Sequence, residues 1–218
     1  MLTLVIGNKN YSSWSLRPWL LMRHFGVPFR EHGLLLDTPE FEREIGRWSP
    51  GRTVPALHDE DGVVAWDSLA ICEYVNDHYL DGRGWPRDPR ARAHARSAAG
   101  EMHSGFVALR KQLPMNLRRR PDAYRWNADA DRNIARIQAL WRELREAHGA
   151  GGPFLCGEFG IVDAMFAPVM VRFDGYGVET DDNARAWCDA LRALPAFVEW
   201  RDAALAETVR LPATDDIR

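Results

Sequence analysis

The rhythm of apolar and polar positions changes near residue 82, and the two halves predict different structure. Leu2 to Ile6 is an apolar, partly β-branched run and reads as a buried strand. Gly7-Asn8-Lys9-Asn10 has turn composition. Ser12 and Ser13 then precede Trp14, Leu16, Trp19, Leu20 and Met22, whose spacing lines one face of a helix that Gly26 and Pro28 stop. Phe29 to Leu36 reads as a second strand, and Pro39 to Trp48 as a short polar helix. Thr53 to His58 and Val63 to Trp66 predict two strands joined by a hairpin signal, Asp59-Glu60-Asp61-Gly62. Asp67 or Ser68 caps a helix with Leu69, Ile71, Cys72 and Val75 on its buried side. The order is βαβαββα. Its first βαβ unit needs a right-handed crossover, which favours a small mixed sheet with helices on its faces.

From about Pro89 no strand pattern remains. Helices are predicted over Arg90 to Met115, Ala130 to Ala147, Ile161 to Phe173, Asp182 to Leu194 and Pro195 to Leu205. Gly82 to Pro89, rich in Gly and Pro, reads as a linker. The expected organisation is an α/β domain over residues 1–81 and an all-helical domain over residues 88–218.

Composition narrows the partners. A net charge of -3 gives no broad basic field for nucleic acid or an acidic membrane, and the basic cluster Arg118 to Arg120 is local. The longest apolar runs, such as Ala164 to Val171, are too short to span a bilayer, and Leu2 to Ile6 is too short for a signal-peptide core. A cytoplasmic location is expected. Cys72, Cys156 and Cys188 are widely spaced and odd in number, so they read as buried reduced thiols. The histidines show no ligand spacing, and no metal is expected.

The strongest local signal is Ser49-Pro50-Gly51-Arg52-Thr53-Val54-Pro55-Ala56-Leu57, followed by Asp67-Ser68-Leu69-Ala70-Ile71. Pro55 at a strand entrance removes a ladder donor and suits a cis peptide at a turn, which leaves the Val54 backbone to pair outside its own sheet. Asp67 and Ser68 place a carboxylate, a hydroxyl and backbone N–H groups at a helix start. That combination suits a ligand carboxylate at the helix end and a ligand ammonium on Asp67. Acceptor, helix end and strand edge together describe a site for a γ-glutamyl peptide, although the pair alone also suits a plain helix cap.

Residues 49 to 71 resemble the glutathione S-transferase superfamily: Ser-Pro, then Val-Pro-x-Leu, then an acidic residue with Ser before Leu-Ala-Ile. Within it the chain looks nearest to zeta-class and related bacterial members. Trp85-Pro86-Arg87-Asp88-Pro89, with Arg92 and Ala93, resembles the family's interdomain segment. Gly157 to Pro168 resembles its C-terminal capping element, where Asp163 begins a buried helix and serves structure, and where Gly160 replaces the usual Ser or Thr. The resemblance implies a thioredoxin-like N-terminal domain, an all-helical C-terminal domain, glutathione as cosubstrate and a homodimer. It implies that Val54, beside cis-Pro55, pairs with the cysteinyl part of glutathione. Asp67 and Ser68 then hold the γ-glutamyl end, and Thr53 adds a contact.

Members of this family activate the thiol with a Tyr, Ser or Cys near the first helix. Laying Trp14 and Arg17 on the zeta pattern, Ser-Ser-Cys-Ser-Trp with an Arg three residues later, puts Ser13 on the serine before the Trp. Ser12 falls on the cysteine, and Tyr11 and Asn10 on the serine pair. Ser13 and Ser12 are the catalytic candidates and Tyr11 a third; either serine also suits a helix N-cap. A hydroxyl donating to the sulfur at a helix start favours a thiolate, whose unperturbed pKa is roughly 8.5. No cysteine lies here, which argues against a disulfide-exchanging activity. Arg17 is assigned to the fold or the domain interface. Pro114 ends a helix, and Gln112, Asn116 and Leu117 match a zeta-class run. Gln112, Asn116 and Arg118 are thus candidates for glutathione or an anionic cosubstrate, and Arg118 to Arg120 equally suit a solvated helix end.

Three functions follow: addition of the glutathione thiolate to a small electrophile; glutathione-dependent cis–trans isomerisation of a maleyl-type diacid, with Arg118 to Arg120 holding carboxylates; or a non-catalytic binding module on the same fold.

Overall fold

A computed structural model of the chain describes residues 1–217. Four strands, β1 (Leu2–Ile6), β2 (Phe29–Gly33), β3 (Ala56–His58) and β4 (Val64–Trp66), form one sheet in the order β2-β1-β3-β4. β1 runs parallel to β2, and β3 runs antiparallel to β1 and β4. Side chains alternate across β1 with a period of two. Leu2, Leu4 and Ile6 join the main core with α1 (Ser13–His24) and α3 (Ser68–Tyr79). Val5 faces the other way and meets Ile45 of α2 (Pro39–Trp48). This is the thioredoxin-like βαβαββα unit expected from the patterning.

The regular elements that follow are helices: α4 (Pro89–Ser104), α5 (Val107–Gln112), α6 (Ala128–His148), α7 (Ile161–Tyr176), α8 (Asp182–Arg192), α9 (Pro195–Ala206) and α10 (Pro212–Asp215). Side-chain caps start several of them. Asp88 accepts the N–H of Ala91 at 2.7 Å, Asn127 that of Ala130 at 3.0 Å and Asp181 that of Ala184 at 2.9 Å. α7 is buried along nearly its whole length and lies against both α1 and α4, so it joins the two halves. No described helix is long and apolar enough to cross a membrane.

Several boundaries differ from the pattern reading. The helix expected over Arg90 to Met115 is two helices. Gly105 turns so tightly that a Cβ there would sit 2.7 Å from the Glu101 carbonyl oxygen, and Phe106 adopts a left-handed φ of 55° while staying buried. Arg110 donates to the freed carbonyls of Met102 and Gly105. β3 begins at Ala56 rather than Thr53: Pro55 has no N–H to give a ladder, its bond to Val54 is cis, and the first paired residue is Ala56. β2 ends at Gly33 rather than Leu36; the chain leaves the sheet there, with the Leu36 N–H donating to Asn8 Oδ1 at 2.9 Å. The short α10 escaped the periodicity reading because a four-residue helix carries no repeat.

Gly160 has a steric reason. The Ile161 N–H donates to the Gly84 carbonyl at 2.8 Å, and a Cβ on Gly160 would lie 2.7 Å from that same oxygen. Gly160 has no hydroxyl to cap the helix, but the other half of the capping arrangement remains, with Asp163 accepting the Gly160 N–H at 3.0 Å. Cys72 and Cys188 are buried, Cys156 is half-buried, and all three are free thiols. Burial raises their thiol pKa values, to about 12 for both Cys156 and Cys188.

Candidate active site

The loop between β1 and α1 delivers the three hydroxyl candidates to different places. The Asn8 carbonyl accepts the N–H groups of Tyr11 and Ser12 at 3.1 and 2.8 Å and so turns the chain into α1. Ser12 donates its O–H to Ser15 Oγ at 2.7 Å, which commits its proton inside the loop. Ser13 Oγ instead accepts Arg172 Nη2 at 3.1 Å, and among the described residues its own O–H has no protein acceptor. Tyr11 is drawn to the chain's C-terminal end. Its hydroxyl donates to Asp215 Oδ2 at 2.9 Å and accepts Arg118 Nη2 at 2.6 Å and the Leu211 N–H at 3.2 Å.

The residues expected to hold a γ-glutamyl peptide lie just before the start of β3 and at the start of α3. The β1–β3 ladder ends where Val5 faces Ala56, so the backbone of Val54 lies beyond it. Pro55 is buried, Val54 half-buried and Thr53 exposed. Asp67 caps α3 from a left-handed φ of 81°, and its Oδ1 accepts the N–H groups of Leu69 and Ala70 at 2.8 and 3.3 Å. Asp67 Oδ2 faces His103 Nε2 of α4 at 2.9 Å. Ser68 is buried, and its Oγ accepts Arg17 Nη1 at 3.3 Å.

Arg17 therefore does more than brace α1. Its guanidinium stacks 4.2 Å from the centre of the Trp14 ring, and its Nε is buried without a partner. Burial, then the neighbouring Arg172 and Arg110, lower its pKa to about 9. Arg172 is likewise buried, donates to the Leu113 carbonyl and to Ser13, and falls to about 10, mainly through burial. Burial also lowers Arg110, whose guanidinium lies 5.5 Å from the Trp14 ring centre. Among the described residues none of these three arginines has a carboxylate within 4 Å. Burying a guanidinium without an anion is costly, so the cluster is an electrostatic site that attracts negative charge.

Sequence reasoning missed Arg172 and Arg110, and left Arg17 to the fold. The available signal was one cation, Arg172, inside the otherwise apolar run from Ala164 to Phe173. The cleft-facing basic run expected at Arg118 to Arg120 takes a different course. Arg118 donates to the carbonyls of Glu207 and Val209 at 2.8 Å each, and Arg119 to Asp122 at 3.0 Å, while Arg120 is exposed. Their donors are engaged by the C-terminal segment and by local acceptors. Asn116 bridges Asn10 at 2.9 Å and Asp215 at 2.8 Å, and Gln112 accepts the Tyr124 hydroxyl through its carbonyl at 2.9 Å.

Comparison with known proteins agrees with this architecture. Residues 11–78 match the N-terminal domain of glutathione S-transferases, and residues 127–203 match the C-terminal domain. The chain belongs to the cytosolic glutathione S-transferase superfamily. It is similar to glutathione S-transferase GstB of Escherichia coli, with 28% identity over 88% of this chain and 95% of that one. The maleylacetoacetate isomerase of Rattus norvegicus is 25% identical over 78% of this chain and 77% of its own. Among solved structures, an unclassified glutathione S-transferase of Bombyx mori superposes with a TM-score of 0.76 at 19% identity, covering 99% of this chain and 98% of that one. A glutathione transferase homolog from Burkholderia, solved with bound glutathione, gives 0.71 at 19% identity over 94% and 99%.

Proposed function

We propose that this chain is a cytoplasmic glutathione transferase, with a glutathione-binding domain over residues 1–81 and a helical domain over residues 88–218, acting as a homodimer. The observation that carries the reading is the pair of buried arginine–serine contacts, Arg17 to Ser68 and Arg172 to Ser13, at the starts of α3 and α1. Glutathione is read as lying between them. Its γ-glutamyl carboxylate meets Ser68 and the N-terminus of α3, with Arg17 behind, and its ammonium meets Asp67. Its cysteinyl peptide pairs with the backbone of Val54, and Thr53 flanks it. The sulfur then receives the Ser13 O–H, and the positive field of Arg17, Arg110 and Arg172 favours the anion. The thiolate attacks an electrophilic carbon: a carbon–sulfur bond forms, and the displaced pair leaves with a leaving group or moves to a neighbouring atom. Retention on immobilised glutathione and a thiolate absorbance near neutral pH are the expected results. Absence of both would leave a non-catalytic binding module.

Replacing Asp67 with Asn tests the ammonium contact. Asn tolerates a left-handed φ and still caps a helix, so the fold should hold. The KM for glutathione is expected to rise about tenfold, which corresponds to about 1.4 kcal/mol, with kcat little changed. An unchanged KM would remove Asp67 from the site.

One observation favours a narrower reading. Two buried cations and one half-buried one, none with a carboxylate, suit a diacid better than a neutral electrophile, and two relatives carry the names probable maleylacetoacetate isomerase, from Caenorhabditis elegans, and maleylacetoacetate isomerase, from Rattus norvegicus. In that reaction the thiolate adds to a cis double bond, the resulting single bond rotates, and elimination returns the thiolate and the trans isomer. The carboxylates would lie in the positive field of Arg110 and Arg172, whose bonds run to carbonyls and a hydroxyl, whereas Arg119 already pairs with Asp122. A screen pairing maleyl-type diacids with neutral aryl halides separates the two readings by relative kcat/KM.

A further inference from the structure

The loop that carries Ser12 and Ser13 is held from the far end of the chain. Lys9 and Asn10 donate their consecutive N–H groups to Glu207, at 2.6 Å to Oε1 and 3.1 Å to Oε2. The Lys9 carbonyl accepts Trp200 Nε1 at 3.0 Å, so α9 and the residue after it grip both sides of that residue. The Lys9 ammonium pairs with Glu31 at 2.8 Å and lies 5.0 and 5.4 Å from the ring centres of Trp19 and Trp200. Arg118 ties the Glu207 carbonyl to the Tyr11 hydroxyl, and Asp215 of α10 receives that hydroxyl and the Asn116 amide.

We infer that Glu207 is a positioning residue for thiol activation, and that the segment from Glu207 to Asp215 is a strap fixing the loop that aims Ser13. The inference rests on the reading of Ser13 given above. Glu207 does not touch the reacting sulfur; it acts through the peptide groups of Lys9 and Asn10. Two consecutive loop N–H groups satisfied by one carboxylate have their orientation set by it. Ser13 follows within a few residues, across a turn held by the Asn8 and Tyr11 carbonyls and, at Asn10, by the Leu117 N–H on its carbonyl and the Arg118 N–H on its side chain. A donor aimed at a developing anion tolerates little displacement, and misplacement by about an ångström costs on the order of 10²-fold in rate.

The test compares wild type, Glu207→Ala and Glu207→Gln. It measures hydrogen exchange at the Lys9 and Asn10 amides, the ultraviolet titration of bound glutathione, and kinetics with 1-chloro-2,4-dinitrobenzene. In Glu207→Ala the two amides should exchange at least about tenfold faster, and the thiolate pKa should rise by roughly one unit. Its kcat should fall about tenfold while the KM for glutathione stays within about twofold. Glu207→Gln keeps one acceptor oxygen and should fall between, and it decides the matter if the alanine variant fails to fold. An unchanged thiolate pKa and kcat in both variants, or a rise in KM alone, would overturn the inference. Should wild type fail to ionise glutathione, the transferase reading falls, and exchange at the two amides still judges the strap: unchanged protection refutes it and faster exchange supports it.

Discussion

Ser13→Ala is expected to abolish most thiolate formation at neutral pH, whereas Ser12→Ala should leave most of it. The two serines are neighbours in sequence but differ in the fate of their protons. The Ser12 O–H is spent on Ser15 Oγ at 2.7 Å, while Ser13 receives a charged donor from Arg172 at 3.1 Å and keeps its own O–H to give. A hydroxyl that accepts from a guanidinium is a better donor in turn, because the bonds polarise one another. Removing one preorganised donor to a developing anion costs on the order of 10²–10³ in kcat, and a fall of about that size is expected for Ser13→Ala. The loss should be greatest below the thiol's unperturbed pKa of roughly 8.5 and should shrink above it, where solvent hydroxide suffices to ionise the sulfur. Titrating bound glutathione by its thiolate absorbance, beside the pH profile of kcat, checks this. Equal losses in the two alanine variants would remove Ser13 from its singular role in thiol activation.

The largest effect on stability is expected at Asp163. It is fully buried, and its two oxygens accept three donors: Leu155 N–H at 2.9 Å, Trp187 Nε1 at 2.8 Å and Gly160 N–H at 3.0 Å. Asp163→Ala strands all three. At about 1–3 kcal/mol for each buried unpaired group, a loss of about 4 kcal/mol is expected. For a chain of this size that is a drop in Tm of roughly 10 °C.

Asp163 also gives a pH signature. Burial raises its carboxyl pKa to about 6, against the lowering pull of its three donors. An unfolded Asp titrates near 3.9, so between roughly pH 4 and 6 the folded state binds more protons than the unfolded state. The contribution of this group is therefore fully present below about pH 4, is lost as pH rises to about 6, and is flat above. Asp163→Asn, which cannot titrate, should be less stable than wild type, with the gap narrowing as pH rises through that window. Urea melts of both proteins from pH 4 to 7 measure it. A gap that widens with pH would reverse the assignment.

The chain's own order of residues determined the elements and most of the site's vocabulary. Period-two alternation in β1, the apolar face of α1 and the caps before the later helices are local properties, each decided within a few residues by side-chain size and backbone preference. The proline corner at Val54–Pro55 and the carboxylate–hydroxyl pair at Asp67–Ser68 were legible for the same reason. Tertiary structure alone decided which charges meet. Arg17, Arg110 and Arg172 lie far apart in the chain; Arg172 meets Arg17 because α7 packs against α1, and Arg110 of α5 joins them through its bond to the end of α4, which also packs on α7. Glu207 reaches Lys9 only because α9 ends beside the first loop. Solvation is what separates the two classes: a periodic pattern records which face leaves water, but a charged side chain looks alike on paper whether it stays hydrated or is buried against a serine. Its chemistry is set by long-range packing.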